Sequence, residues 1–191
     1  MKRFAVVIGI LALTCASVPA HAQNFGIKGG LSYGTANQNG IDPGATQRNG
    51  VAVGVGIISS SVIGLGIEGL YAQRGFTSTT AINSRRLDYI DVPLYLRISI
   101  PSPGISPFAY AGPQGSYELK CGTDSGDCPD SGRPRITYAG VIGAGAKLGI
   151  LGGITVEGRY VYGLSDLKLS TIKASSSYKT RSLLLLAGLG F

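Results

Sequence analysis

With 191 residues, 17 Lys and Arg against 10 Asp and Glu, and a net charge of +7, the chain has the length of one domain and a mildly basic balance. Hydrophobic residues make up 44% of it, yet beyond its first residues no run of about 18 apolar residues reads as a membrane helix. The nearest candidate, 136–156, carries Lys147 and repeated glycines, which weaken a helix strongly.

The chain opens with the three parts of an export signal: Lys2 and Arg3, an apolar run from Phe4 to Leu13, and Ala20-His21-Ala22 as a small-residue cleavage site. A lipoprotein signal using Cys15 would want Leu three residues earlier, where this chain has Ala12. The expected division is a signal peptide over 1–22, cleaved after Ala22, and one domain over 23–191. Cleavage lowers the net charge to +5 and removes the single histidine, His21. An exported chain does not meet cytoplasmic nucleic acid, so its basic balance does not point to that partner.

From Gln23 onward the dominant period is two, in segments of about the 9 to 11 residues that a tilted strand needs to cross a bilayer. The first segment sets Phe25, Ile27, Gly29, Leu31 and Tyr33 against Gly26, Lys28, Gly30 and Ser32. In the second, Val51, Val53, Val55 and Ile57 oppose Ala52, Gly54 and Gly56. The third turns Ile63, Leu65, Ile67, Gly69 and Tyr71 outward and Gly64, Gly66, Glu68, Leu70 and Arg74 inward. The fourth turns Ile90, Val92, Leu94, Leu96 and Ile98 to lipid and Tyr89, Asp91, Tyr95 and Arg97 inward. Pro93 shares that inner face and predicts a bulge or a missing ladder bond.

The fifth segment, about 107–119, has an open phase, because Phe108 and Tyr110 alternate with Ala109 and Ala111. The sixth sets Ile136, Tyr138, Ile142, Ala144 and Leu148 against Thr137, Gly143, Gly145 and Lys147. The seventh sets Ile154, Val156, Tyr160 and Tyr162 against Thr155, Glu157 and Arg159. The eighth, about 179–191, is apolar on both faces near its end.

Connectors alternate in length: 35–49, 75–85, 120–134 and 165–178 are long and polar, whereas 59–62, 101–106 and 149–153 are short. Outer-membrane barrels pair long external loops with short periplasmic turns. Without helical spans a closed barrel is the one remaining way through lipid, since unpaired backbone is too costly there. The reading is an all-β, eight-stranded antiparallel transmembrane β-barrel in the bacterial outer membrane. A soluble lipocalin-like ligand-binding barrel is the alternative, and it would want polar residues on the outward faces now held by Ile, Val and Leu.

Several segments, in order, resemble the outer-membrane β-barrel family typified by PorT-like proteins of Bacteroidota. They are Phe25-Gly26-Ile27-Lys28-Gly29-Gly30-Leu31, Glu68-Gly69-Leu70-Tyr71-Ala72-Gln73-Arg74-Gly75-Phe76 and Leu87-Asp88-Tyr89-Ile90-Asp91-Val92-Pro93-Leu94-Tyr95-Leu96. Pro107-Phe108-Ala109-Tyr110-Ala111-Gly112-Pro113, Gly143-Ala144-Gly145 and Arg159-Tyr160-Val161-Tyr162-Gly163-Leu164 follow. The resemblance covers nearly the whole mature chain and implies the fold and the address; a part in type IX secretion is the role linked to the family's namesake.

The chain ends on Phe191 behind Leu183, Leu185, Ala187 and Leu189 on one face, which resembles the terminal-strand signal read by the barrel-assembly machinery. Cys121 and Cys128 close a short loop in an oxidising compartment and predict a disulfide. Asp124, Asp127 and Asp130 crowd that loop without the alternate spacing of a calcium loop, so no metal is expected. Gly143, Gly145 and Gly149 lack the strand-then-helix setting of a dinucleotide fingerprint, so no cofactor is expected either.

Glu68, Arg74, Asp91, Arg97, Lys147, Glu157 and Arg159 point inward. An eight-stranded lumen is only wide enough for side chains, and buried charges need partners. The expectation is a salt-bridge plug in which Glu68, Asp91 and Glu157 accept from Arg159 and Arg97; the alternative is a narrow ion path. Basic residues gather at the long connectors, and Arg85, Arg86, Arg133 and Arg135 are candidate contacts for lipopolysaccharide phosphates. A merely soluble loop surface explains them equally well. Without histidine no Ser-His or Asp-His mechanism operates, so no catalytic residue is named. The leading function is a non-enzymatic outer-membrane barrel with an envelope-structural or surface-interaction role; a small channel or a transport or secretion accessory is the alternative.

Overall fold

The computed structural model describes residues 23–38, 45–59, 61–78, 85–123, 126–127, 135–149, 153–164 and 178–190. The expected signal peptide, 1–22, lies outside them. Eight long strands make the wall: β1 (Gln23–Gln38), β2 (Ala45–Ser59), β3 (Ile63–Ser78), β4 (Arg85–Ser99), β5 (Ile105–Thr123), β7 (Ile136–Leu148), β8 (Ile154–Gly163) and β9 (Tyr178–Leu189). β6 (Gly126–Asp127) is a two-residue strand that folds back on the end of β5.

Each strand pairs antiparallel with its neighbours around the ring β1-β2-β3-β4-β5-β7-β8-β9, and β9 returns to β1. The additional β4–β5 pairing closes the sheet, so the eight wall strands leave no open edge. Closure satisfies the backbone within the wall, the condition lipid imposes on any spanning structure. Two of the short turns are tied by Ser99 N donating to Val62 O and Gly149 N donating to Gly104 O, each at 2.8 Å. Gly104 (φ 85°) and Gly153 (φ 87°) take the left-handed backbone that these tight turns need and that a side chain would strain.

The wall is turned inside out relative to a soluble barrel. Phe25, Ile27, Leu31, Val53, Leu65, Leu96, Ile142, Val156 and Leu185 are exposed, whereas Lys28, Glu68, Asp91, Glu157 and Arg159 are buried. The outward tyrosines Tyr33, Tyr71, Tyr117, Tyr138, Tyr160 and Tyr162 lie toward the long-loop ends of their strands, and Phe25 lies near the other end of β1. From Phe25 to Tyr33 is eight residues, which at about 3.3 Å each and a tilt near 40° makes an apolar band roughly 20 Å tall. β5, at 19 residues, exceeds what a crossing requires, so its end rises beyond that band.

The open phase of β5 is settled by packing: Phe108 and Tyr110 point inward, and Ala109 and Ala111 outward. Phe108 sits opposite Gly145 and Tyr110 opposite Gly143, so large side chains on one strand fill the space left by glycine on the next. Near Pro93, β3–β4 pairing skips from Ile67↔Leu94 to Leu70↔Asp91 with the register unchanged, which is the missing ladder step expected of a strand proline. The bulge in β4–β5 lies elsewhere, between Asp88 and Tyr89.

Candidate functional site

The period of two puts Lys28, Glu68, Tyr110 and Arg159 inside the barrel, and each is the sixth residue of its strand counted from the short-turn end. Four strands that are not all neighbours thus bring their functional side chains to one level. There Arg159 Nη2 donates to Glu68 Oε2 at 2.6 Å and to Glu157 Oε1 at 2.9 Å, and its Nε donates to the Tyr110 hydroxyl at 2.7 Å. Lys28 Nζ donates to Glu68 Oε1 at 2.7 Å and Glu157 Oε1 at 3.2 Å. Tyr95 donates its hydroxyl to Glu68, and Tyr110 donates to Glu157 Oε1 at 3.0 Å.

Two cations and two carboxylates make this layer neutral. Their side chains are at most 5% exposed, so none of the four is left to water. Burying such charges is costly unless geometry and hydrogen bonds compensate, and here each carboxylate accepts from both cations and a tyrosine. The Tyr95 and Tyr110 rings pack tilted at 35°, 4.6 Å between centroids, and carry the Arg159 guanidinium over their faces at 5.9 and 5.2 Å. Glycine makes room for them: a Cβ on Gly66 would strike the Tyr95 ring, and one on Gly143 the Tyr110 ring.

The arrangement differs from the expected plug in three ways. Arg97 does not reach the carboxylates. It stands third from the end of β4, its side chain lies 3.7 Å over the Phe108 ring, and its Nε donates to Ser99 Oγ at 3.0 Å. Asp91 accepts from Arg74, not from Arg159 or Arg97, because it lies nearer the long-loop end, where Arg74 of β3 leans over Tyr89 to meet it. Lys147, second from the end of β7, is half-buried and makes no ion pair among the described residues.

Lys28, set on the face opposite Phe25 and Ile27 but not placed in the expected network, is one of its two cations. Counting residues from the short turn would have found it, because Lys28 and Glu68 then share a level.

At the long-loop rim, Arg86 is half-exposed and donates from Nε to Asp88 Oδ1 at 3.3 Å, and Arg135 is exposed. Arg85 opens β4 opposite Thr123. Cys121 is buried beside Leu87 and Tyr89. Cys128, Arg133 and Phe191 lie outside the described residues.

An inside-out, closed antiparallel barrel with a charged interior defines a class, the outer-membrane β-barrels of bacteria. A family model for the outer membrane protein beta-barrel domain matches residues 17–169, and the chain belongs to that family. The protein is therefore an eight-stranded transmembrane barrel of the bacterial outer membrane.

Among solved structures the chain is similar to Ail, the attachment invasion locus protein of Yersinia pestis, in complex with the heparin analogue sucrose octasulfate. Identity is 16% and the TM-score 0.51, over 89% of this chain and 99% of that one. It is also similar to Neisserial surface protein A, at 10% identity and a TM-score of 0.56, over 87% of this chain and 97% of that one. A looser likeness, with a TM-score of 0.49 and 12% identity over 87% and 99% of the two chains, is to the outer membrane enzyme PagL. These likenesses concern the fold alone. No curated protein matches this chain in sequence.

Proposed function

We propose that the protein is a sealed, non-enzymatic barrel that anchors its long loops at the cell surface for an envelope-structural or surface-interaction role. The observation that carries this reading is the neutral layer of Lys28, Glu68, Glu157 and Arg159, each ion-paired across the lumen and buried. A path for ions would want unpaired charge facing water at the constriction. Here Tyr95 and Tyr110 complete the packing instead.

The remaining assignments belong to the same reading. Export by a signal cleaved after Ala22 removes His21, the one histidine of this sequence. Arg86 and Arg135 at the rim, with Arg85 and Arg133, meet the phosphates of lipopolysaccharide. A Cys121–Cys128 disulfide is favoured by the Gly122↔Asp127 and Thr123↔Gly126 pairing of β5 with β6, whose register runs toward the two cysteines. The finer likeness to PorT-like proteins rests on the sequence segments alone, and no observation favours a part in secretion.

Liposome swelling tests the seal. Proteoliposomes holding the folded protein swell in arabinose no faster than empty ones on this account. Swelling that scales with the amount of barrel would instead assign a channel.

A further inference from the structure

On the outer face of the wall, β1 and β9 set two small residues side by side. Gly29 of β1 pairs with Ala187 of β9, and both belong to the outward set. Ile27, Val53, Ile154 and Leu189 stand around them, and together they line a groove of about 470 Å³. The groove climbs from Ile154 and Leu189, the residues of β8 and β9 nearest the short-turn rim, to Val53, seventh in β2 counted from that rim. Lys28 and Gly188 also border it, but the Lys28 ammonium is held inside the barrel by Glu68 and Glu157. Apart from Lys28, no residue lining the groove has a polar side chain.

The packing of the wall does not require glycine at position 29. A Cβ there would meet only Ala52 O, at 3.6 Å, whereas one on the neighbouring Gly30 would strike the Leu185 backbone. Inside lipid two apolar surfaces gain nothing by leaving water, so an occupant is held by van der Waals contact, which the groove's lining atoms otherwise lack on one side. Direction and size both point to a lipid tail. The groove runs from the short-turn rim toward mid-wall, as a phospholipid tail of the periplasmic leaflet does, and it is continuous with the lipid-facing surface. An apolar cavity of about 150 Å³ already holds benzene, and this groove has roughly three times that volume.

We propose that the groove over Gly29 and Ala187 is a binding site for one acyl chain of a phospholipid of the periplasmic leaflet. The tail enters at the rim between Ile154 and Leu189, leaves its headgroup in the water interface, and runs over the two small residues as far as Val53. The apolar lining selects the hydrocarbon, not the headgroup. The site lies outside the wall, so it is independent of whether the lumen conducts.

The test is native mass spectrometry of the folded protein released from nanodiscs of palmitoyl-oleoyl phosphatidylethanolamine. The parent should keep one lipid. Gly29→Ile and Ala187→Leu fill the groove from its two sides, and each should lower that retention several-fold, with heat-modifiable migration kept as the sign of folding. Gly69→Ile is the control: Gly69 is likewise seventh from the short-turn end of its strand and has open space around it, but it pairs with Val55 and borders no part of the groove. It should retain lipid like the parent. Dihexanoyl phosphatidylethanolamine, which has the same headgroup on short tails, should not be retained. The proposal is overturned if the parent keeps no lipid, if both groove-filling variants keep it like the parent, if Gly69→Ile loses it equally, or if the short-tailed lipid is held as well. A lipid-free dimer that Gly29→Ile dissociates would also overturn it, by making the groove a contact between two copies.

Discussion

Tyr110 is where the charged layer depends on a single uncharged atom. Its hydroxyl accepts from Arg159 Nε and donates to Glu157, so Tyr110→Phe keeps the ring and leaves both partners short of a bond. The expected loss is about 1–3 kcal/mol in urea unfolding from lipid vesicles, the cost of stranding buried polar groups. An unchanged midpoint would mean that the hydroxyl is not part of the network. Two glycines of β3 give a sharper contrast. A Cβ on Gly66 would lie 2.5 Å from Cζ of Tyr95, whereas one on Gly69 meets nothing within 4 Å. Gly66→Ala should cost about 1–3 kcal/mol by overpacking and Gly69→Ala almost nothing; equal effects would place Tyr95 elsewhere.

At the scale of the strand, alternation along the chain assigns the inward and outward faces of β1, β3, β4 and β8 directly, because lipid and lumen demand opposite chemistries. It failed on β5, where aromatic and alanine both suit either face. What decided that strand was its neighbour: Phe108 and Tyr110 face Gly145 and Gly143, a large-against-small match that only register reveals. The same lack of register hid Lys28 and misplaced Arg97, since a sequence shows which face a charge is on but not its level in the barrel. A lipid-face test follows from Ile142, seventh from the short-turn end of β7 and 60% exposed. Ile142→Arg should destabilise by about 2–4 kcal/mol near the bilayer midplane. A neutral result would place that face away from lipid.

For the whole molecule, the pairing of β9 with β1 and of β4 with β5 makes one closed wall, and the charged layer ties β1, β3, β4, β5 and β8 together across its interior. The wall accounts for residence in the membrane, and the layer is what the proposed seal of the lumen rests on. Removing Arg159 would leave Glu68 and Glu157 with Lys28 alone, a loss of about 3–5 kcal/mol for a broken buried pair, and would open space beside Tyr110. Planar-bilayer recording of the purified barrel beside its Arg159→Ala variant tests the account most directly. The account predicts a silent parent, with any stepwise openings confined to the variant; regular ion-selective openings of the parent would contradict it.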